Sequence, residues 1–323
     1  MGPFVEHSNI ARFGQDVVNL RQEDVQRYRD QVNALRERLA SKISQDPSFA
    51  LVKMIHSGSV AKGTALSTIN DIDVAVYVKA DEVPNGEGDL LNWLAERLRE
   101  ANPNMSADQI APGTHCVTVS FKGSGLDVDV VPVLYKGDKD DRGQLLNRET
   151  GGWLETSIPL HLEFIRKRKA KQPQHFSQVI RFAKWWAAIQ KDERPGFRCK
   201  SFIIELICAH LMEQGQGFSN YPVSIQRFFA YLVQTGLRER VVFTDYYAAT
   251  AVSVANGAAI TIMDPVNPMN NVAANYTEAD RKVFVEAASD ALDSLTEAHH
   301  SDTKGRAVTL WKEVMGPSFR VVT

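Results

Sequence analysis

Two apolar, β-branched runs of this chain each begin with a pair of aspartates spaced two residues apart. The first pair is Asp71 and Asp73, and the second is Asp127 and Asp129. Because side chains of a strand alternate between its two faces, the members of each pair point to the same side. Charges inside an otherwise buried run are costly unless they are paired or bound to a metal. The two runs therefore predict neighbouring strands of one sheet that bring several carboxylates together.

These carboxylates predict a site for hard divalent cations. Two parallel carboxylates repel each other strongly unless a cation lies between them. Oxygen ligands select magnesium or manganese rather than zinc. Asp71 and Asp73, with a third aspartate from the later strand, suit a two-metal centre in which one ion activates an attacking hydroxyl and the other holds phosphates. Asp127 and Asp129 share a face, so spacing alone leaves the third ligand open between them.

A glycine-serine turn precedes the first aspartate pair. Gly58 allows close approach of backbone amides, Ser59 adds a hydroxyl, and the following segment Val60–Leu66 is expected to open a helix. A helix N-terminus with small residues is a suitable cradle for phosphate. Neither the turn nor an aspartate pair is specific alone, but their ordered combination with a later strand aspartate indicates catalysis.

Hydrophobic periodicity predicts a mixed α+β fold in two lobes with a central cleft. The predicted strands are Val74–Val78, Cys116–Phe121 and Val128–Leu134, accompanied by helices over Val18–Ser44 and Asp89–Ala101. Later segments are mainly helical: Leu160–Lys171, Phe176–Lys191, Ser201–Glu213, Ile225–Gln234, Glu278–Ala298 and Val308–Met315. A short piece at Ala259–Met263 is expected to return to the sheet. The change in character divides the chain into a catalytic lobe, residues 1–155, and a helical lobe, residues 156–323.

Composition limits the class of protein. The 323 residues are 44% hydrophobic and 24% charged with a formal net charge of −2, which argues against a protein that mainly coats long nucleic acid. Cys116, Cys199 and Cys208 lack metal-ligand spacing and are expected to be buried free thiols, so a zinc site is not predicted. Without a signal-like segment at Met1–Arg12 or an apolar run of about 18 residues, a cytoplasmic protein is expected.

The ordered motifs resemble a known superfamily. They are Gly58-Ser59, Gly63-Thr64, Asp71-Ile72-Asp73 and Asp129. This pattern is similar to that of the nucleotidyltransferase superfamily that includes DNA polymerase beta. Within it, the closer similarity is to the branch of oligoadenylate synthases, archaeal CCA-adding enzymes, cGAS and the bacterial cGAS/DncV-like nucleotidyltransferases (CD-NTases). The chain most resembles the CD-NTases of bacterial CBASS anti-phage operons. The resemblance spans about residues 15–300.

Three later stretches support that branch. Val179–Trp186 resembles the family helix whose lysine, here Lys184, reaches the donor triphosphate. Lys200–Leu206 resembles the start of a helix beside the nucleotide, with Ser201 in an N-cap pattern and Phe202 placed either to stack on a base or to join the core. Asp264–Val272 resembles a family motif with two Asp-Pro pairs, although Asn267 replaces the second aspartate, which puts an ionic role there in doubt.

Several other features are assigned structural roles. Trp185 and Trp186 are expected in the core or an interlobe seam, and Glu205 as a partner of a lysine or arginine. The basic run Arg166–Lys171 is expected to be a solvated helix end, with an activating partner or nucleic acid as the alternative. His56 is given a core or loop role, and a metal site at His299-His300 is discounted because a third ligand is lacking.

The resemblance implies a site and a reaction. Asp71, Asp73 and Asp129 would be catalytic ligands of two Mg²⁺ ions, with Mn²⁺ as a substitute, and Asp129 is preferred to Asp127 because Val130-Val131-Pro132 matches the family strand. Nucleotide would be bound by Gly58, Ser59, Lys184, Lys200, Ser201 and Phe202. A ribose hydroxyl would attack the α-phosphate of an NTP, expected to be ATP, and release pyrophosphate.

Repetition and ring closure would give a cyclic oligonucleotide second messenger, with cyclic triadenylate as a candidate, and a HORMA-domain protein is a candidate activator. Three alternatives stay open: a tRNA CCA-adding enzyme, a linear oligoadenylate synthase, and a non-enzymatic module with a decayed site. The chain retains all the aspartates and the Gly58-Ser59 turn, which disfavours decay.

Overall fold

The computed structural model describes residues 4–46, 49–69, 71–84, 87–146, 152–254 and 257–321. Contacts between residues divide the chain into two compact units. The sheet unit is Leu20–Glu163, and the helical unit combines Met1–Asn19 with Phe164–Thr323. The sequence-based division instead put residues 1–19 with the catalytic lobe and the boundary after residue 155. Residues 1–3, 47–48, 70, 85–86, 147–151, 255–256 and 322–323 lie outside the description.

Among its described residues, the sheet unit contains seven strands, three whole α-helices and a short 3₁₀ turn. The strands are β1 (Leu51–His56), β2 (Asp71–Lys79), β3 (Ile110–Pro112), β4 (Val117–Phe121), β5 (Leu126–Tyr135), β6 (Gly143–Leu146) and β7 (Trp153–Thr156). Helices α2 (Gln22–Gln45), α3 (Gly58–Lys62) and α4 (Glu87–Ala101) are α-helical, and Ala107–Gln109 is a short 3₁₀ turn. The strand order is β1-β2-β5-β4-β3, with β6 between β5 and β7.

The two faces of this sheet differ in chemistry. Ile72, Val74 and Val128 face a core that also contains Leu35 of α2 and Leu94 of α4. That alternation explains why β2 and β5 are buried at every second residue near their starts. The opposite face carries the aspartates and, further along the strands, a small cluster of Ala75, Tyr77 and Val133.

The helical unit is built from α1 (His7–Phe13), α6 (Phe176–Glu193), α7 (Ser201–Glu213), α8 (Tyr221–Thr235), α9 (Glu278–His300) and α10 (Lys304–Met315), and α5 (Ile158–Lys171) enters it at Phe164. Trp186 is buried at its centre. The ring of Trp186 lies 4.8 Å from that of Phe229 and 5.5 Å from that of Phe197. Trp185 is half-buried, and its Nε1–H donates to the Met315 carbonyl at 2.9 Å. Both tryptophans therefore serve packing within this unit.

Three sequence predictions need correction. The helix expected over Val18–Ser44 begins only at Gln22, because the preceding segment continues α1 as a π-helix over Gly14–Val18 and then becomes extended. The helix expected over Val60–Leu66 is instead α3, which Gly63 ends with a left-handed φ of 70°. Ala259–Met263 does not return to the sheet, because Ile262 and Met263 form only isolated bridges, with Val241 and Asn271.

Among the described residues, no helix combines the length and apolar character needed to span a bilayer. The three cysteines are free thiols, as expected, and Cys199 and Cys208 are buried. Burial raises the pKa of the Cys199 thiol to about 12, so it stays protonated at neutral pH. Cys116 is only half-buried, which corrects the expectation of burial for that residue.

Candidate active site

The four strand aspartates lie in two rows across the sheet. Strands β2 and β5 are parallel and in register, so Asp73 pairs with Asp129 and Asp71 pairs with Asp127. The antiparallel pairing of β4 with β5 extends both rows, adding Thr118 beside Asp129 and Ser120 beside Asp127. All six side chains share one face because residues paired across strands point to the same side. The structure thus brings the predicted carboxylates together.

Hydroxyl groups bind both carboxylates of β5. Thr118 Oγ1 donates to Asp129 Oδ1 at 2.8 Å, and Ser120 Oγ donates to Asp127 Oδ1 at 2.6 Å. The four residues are half-buried, whereas Asp71 and Asp73 are exposed. The β5 carboxylates are therefore oriented by the sheet, and the β2 carboxylates face solvent.

The glycine-serine turn lies directly against Asp73. Gly58 is the first residue of α3 and has a φ of 65°, a conformation that costs little only for glycine. A Cβ atom on Gly58 would lie 2.8 Å from Asp73 Cβ and 2.9 Å from its Cγ, so no larger residue fits. The Ser57 amide also donates to the Asp73 carbonyl at 3.0 Å. Close approach of backbone to carboxylate explains the glycine at this position.

The donor set suits a magnesium or manganese ion in chemistry, because it consists of carboxylate oxygens at one edge of the sheet. Gly58 supports this fit, because its lack of a side chain leaves space beside the Asp73 carboxylate. A Cβ atom at this position would fill that space. Within the part of the chain that the structure describes, however, no three His, Cys, Asp or Glu side chains already converge as a metal-binding group.

Lys184 occupies a different environment from the one the sequence suggested. It lies on α6 and is 5% exposed, and its Nζ donates to Glu205 Oε1 of α7 at 2.6 Å. Glu205 is buried as well, so the pair forms an ion pair inside the helical unit. The expectation that Glu205 partners a basic residue agrees with this contact. The role of Lys184 as a phosphate ligand stays a prediction, and in this conformation its ammonium group is bound to Glu205.

The start of α7 has a specific geometry. The N-cap residue is Lys200, and Ser201 is the first helical residue, which corrects the predicted N-cap at Ser201 by one position. The Lys200 amide donates to the Tyr276 hydroxyl at 2.9 Å, and its Nζ donates to the Val272 carbonyl at 3.2 Å. These contacts hold Lys200 in an extended conformation before the helix. Ser201 is exposed and Phe202 is half-buried.

The stretch Asp264–Val272 forms an ordered loop within the helical unit. The carboxylate of Asp264, which is buried, accepts from the Val266 amide at 2.8 Å and from Asn270 Nδ2 at 3.0 Å. Asn267 Oδ1 accepts from the Met269 amide at 2.9 Å. An asparagine oxygen makes this Asx-type turn as well as an aspartate does, so the substitution keeps the local fold without a charge.

Sequence reasoning missed three polar residues. Thr118 and Ser120 were read only as members of a strand, because nothing in the spacing of β4 reveals its register against β5. Arg168 was placed in a solvated basic run, yet it is buried and its guanidinium binds both oxygens of Asp245 at 3.1 and 2.8 Å, with Glu213 as a second partner. The other basic residues of that run are exposed, as expected.

His56 is the half-buried last residue of strand β1, which corrects the expected core or loop role. Its Nε2 lies 3.1 Å from Asn33 Oδ1 on α2. Burial, followed by the nearby charges of Arg36 and Arg29, lowers the pKa of this imidazole, so it is neutral at pH 7. His299 and His300 are exposed side chains near the end of α9.

Comparison with known proteins places the chain in a family. Residues 6–168 match the domain described as Second Messenger Oligonucleotide or Dinucleotide Synthetase. The chain is 52% identical over 316 residues to a cyclic AMP-AMP-AMP synthase of Escherichia coli (strain MS 115-1), with 98% of both proteins covered. The chain belongs to the second messenger oligonucleotide or dinucleotide synthetase family. It is therefore a nucleotidyltransferase that makes an oligonucleotide second messenger, which confirms the family resemblance.

Other synthetases of this family are similar along their whole length. A CBASS oligonucleotide cyclase, CdnC, of Escherichia coli (strain KTE188) is 31% identical over 322 residues, covering 98% of each protein. The structure of Escherichia coli MS115-1 CdnC with ATP superposes with a TM-score of 0.95 at 52% identity, covering 98% of this chain and 100% of that one. The same protein in complex with HORMA-deltaN gives a TM-score of 0.94, covering 98% and 99%. The predicted α+β synthetase fold is confirmed.

Proposed function

We propose that this synthetase joins three ATP molecules into cyclic triadenylate as a signal in CBASS anti-phage defence. The full-length identity of 52% to a cyclic AMP-AMP-AMP synthase is the observation that carries the proposal. The similar CdnC structure that contains ATP supports ATP as the substrate. Free cysteines fit a reducing cytoplasm as the site of this chemistry.

The proposed reaction is attack of a ribose hydroxyl on the α-phosphate of ATP, with release of pyrophosphate. Asp71, Asp73 and Asp129 would hold two Mg²⁺ ions, and such ions would lower the pKa of the attacking hydroxyl and stabilise charge on the phosphates. Asp129 is preferred to Asp127 because its row contains Asp73, the carboxylate against which Gly58 packs. The exposed carboxylates of β2 would lie near the triphosphate. The oriented carboxylate of Asp129 on β5 would lie near the attacking hydroxyl.

Nucleotide contacts are proposed for the residues that resemble the family pattern. Gly58 and Ser59 would bring backbone amides and a hydroxyl to the phosphates beside Asp73. Lys200, Ser201 and Phe202 form the start of α7, and the positive end of this helix would favour a nucleotide phosphate there. Lys184 would reach phosphate only by exchanging its contact with Glu205.

A HORMA-domain protein is the proposed activating partner. The proposal is supported by the complex of the similar CdnC with HORMA-deltaN, which covers 98% of this chain. Activity of the purified chain is therefore best measured both alone and with a purified HORMA-domain protein.

The decisive experiment is incubation of the purified protein with labelled ATP and Mg²⁺, followed by phosphatase treatment and mass spectrometry. A phosphatase-resistant product with the mass of three linked AMP units is expected. A linear, phosphatase-sensitive oligoadenylate would replace the cyclase assignment by that of a linear synthase. Extension of a tRNA 3′ end without a cyclic product would favour a CCA-adding enzyme.

Single substitutions test the ligand set. Asp71→Asn, Asp73→Asn and Asp129→Asn are each expected to reduce product formation by at least about 100-fold, because each removes a charged oxygen ligand. Asp127→Asn is the matched control in the neighbouring row and is expected to keep most activity. Circular dichroism and melting temperature check the fold of each variant. Turnover by Asp71→Asn at the wild-type rate would contradict the metal assignment.

A further inference from the structure

Strand β4 supplies a hydroxyl to each row of carboxylates, and the two hydroxyls are chemically alike. Thr118 lies in the row of Asp73 and Asp129, and Ser120 lies in the row of Asp71 and Asp127. Each donates its single proton to the nearer β5 carboxylate, at 2.8 and 2.6 Å. Neither residue belongs to the motifs that carry the family resemblance.

A hydroxyl has one donor, so a hydrogen bond to Asp129 Oδ1 commits the Thr118 proton entirely. Such a bond to a charged acceptor fixes the rotation of the carboxylate about its Cβ–Cγ bond. It also occupies one lone pair of Oδ1 and leaves the second oxygen to other ligands. Within the described part of the chain, this is the single hydrogen bond of the Asp129 carboxylate.

Thr118 is well held for this purpose. Its neighbours Val117 and Val119 are fully buried on the opposite face, and so are their partners Val130 and Val128. A β-branched threonine also has few accessible χ1 rotamers, which limits movement of Oγ1. Ser120 lacks that restriction, and its row lies next to the turn that joins β4 to β5 at residues 122–125. The Thr118 row is therefore the better anchored of the two.

We propose that Thr118 is a positioning residue, which orients Asp129 for binding the divalent metal ion of the synthetase. Ser120 holds Asp127 in the other row, and this contact is not required for metal binding. The proposal rests on the proposed function of Asp129.

Three substitutions in the full-length protein test the proposal. Thr118→Val removes the hydroxyl while keeping the shape and strand preference of the side chain. Thr118→Ser restores the hydroxyl without the β-branch, and Ser120→Ala removes the matched hydroxyl two residues away. Two quantities are measured for each: the Mg²⁺ concentration that gives the half-maximal rate with ATP, and the Mn²⁺ affinity by electron paramagnetic resonance with a non-hydrolysable ATP analogue. Melting temperatures check folding.

Thr118→Val is expected to raise the half-maximal Mg²⁺ concentration and to weaken Mn²⁺ binding, each by about 10- to 100-fold, as is typical when the partner of a metal ligand is lost. Thr118→Ser is expected to recover most of both losses, and Ser120→Ala to stay within about threefold of wild type. If Thr118→Val lowers the melting temperature by many degrees, the same two measurements are made on Thr118→Ala. That variant also removes the hydroxyl and has a smaller side chain.

Wild-type metal dependence in both hydroxyl-free variants of Thr118 would overturn the proposal. A larger loss in Ser120→Ala than in Thr118→Val would also overturn it and would transfer the role to Asp127. The Mn²⁺ measurement does not depend on product formation. If the wild-type protein binds Mn²⁺ but makes no cyclic product, the proposed function is contradicted. The Mn²⁺ affinities of the variants would still test the role of Thr118.

Discussion

Lys184 and Glu205 show how much one buried ion pair constrains a single position. Both side chains are almost fully removed from solvent and are joined at 2.6 Å. Removing one member of such a pair leaves the other charge buried without this counter-ion. Lys184→Met is therefore expected to lower the free energy of unfolding by about 3–5 kcal/mol, measured by urea denaturation.

The double variant Lys184→Met/Glu205→Leu provides the control for that prediction. Because it removes both charges together, much of the lost stability is expected to return. If the single variant unfolds at the wild-type urea concentration, the ion pair is not buried in solution. Loss of activity in a fully stable double variant would indicate that Lys184 contacts the nucleotide.

Gly58 allows a second prediction at the scale of one residue. Gly58→Ala forces a Cβ atom against Asp73, and product formation is expected to fall by at least about 100-fold as that carboxylate moves. Gly125→Ala is the matched control, because Gly125 has nearly the same φ, 68°, but open space around its Cβ position. Both variants carry a similar backbone cost of about 1–2 kcal/mol. Equal activities of the two would contradict the contact with Asp73.

At the scale of elements, the attachment of α1 to α8 depends on a neutral histidine. His7 Nδ1 accepts a hydrogen bond from the Tyr221 amide at 3.2 Å, and the two rings stack with centroids 4.3 Å apart. Burial and then the neighbouring His175 lower the pKa of His7. The folded state therefore binds fewer protons than the unfolded state, so this stability is complete above about pH 6.5 and is lost as pH falls toward the lowered pKa.

The melting temperature of the wild type is accordingly expected to decrease between pH 7.5 and pH 5.5. His7→Asn keeps an acceptor oxygen but is not protonated in this pH range. Its melting temperature is therefore expected to decrease less than that of the wild type. His299→Asn changes an exposed histidine on α9 and is expected to follow the wild type. The same pH dependence in His7→Asn and in wild type would show that His7 does not titrate between these values.

The elements differ in how far the sequence predicts them. β2 and β5 were predictable because aspartates alternate with apolar residues at their starts. Only one face of each strand can then be buried without burying a charge. β1 and the four-residue strands β6 and β7 were not predicted, since short strands depend on their sheet partners rather than on local pattern. The candidate site could likewise be predicted only in part. Asp71 and Asp73 were predictable from spacing, whereas the contacts of Thr118 and Lys184 depend on tertiary pairing.

At the scale of the whole molecule, residues distant in sequence complete the helical unit. Phe13 of α1 is 4% exposed, and its ring lies 5.2 Å from that of Phe319 and 6.1 Å from that of Trp185. Phe13→Ala is expected to destabilise this unit by about 3–5 kcal/mol through the cavity it leaves. Hydrogen exchange measured by mass spectrometry is expected to accelerate in α6 and α10.

Gln15→Ala is the control for this substitution, because Gln15 is exposed in the same segment and its exchange pattern is expected to match wild type. Acceleration confined to β2 and β5 in Phe13→Ala would contradict the assignment of residues 1–19 to the helical unit.

This long-range packing also has a consequence for synthesis on the ribosome. Phe13 is translated about 300 residues before its partner Phe319. At bacterial elongation rates of about 5–20 residues per second, that interval lasts roughly 15–60 s. During it, the sheet unit can be completed while Ile10, Phe13 and Val18, all buried in the finished protein, remain without the last of their neighbours. The nascent N-terminal segment is thus an expected substrate for chaperones that bind apolar chain near the exit tunnel.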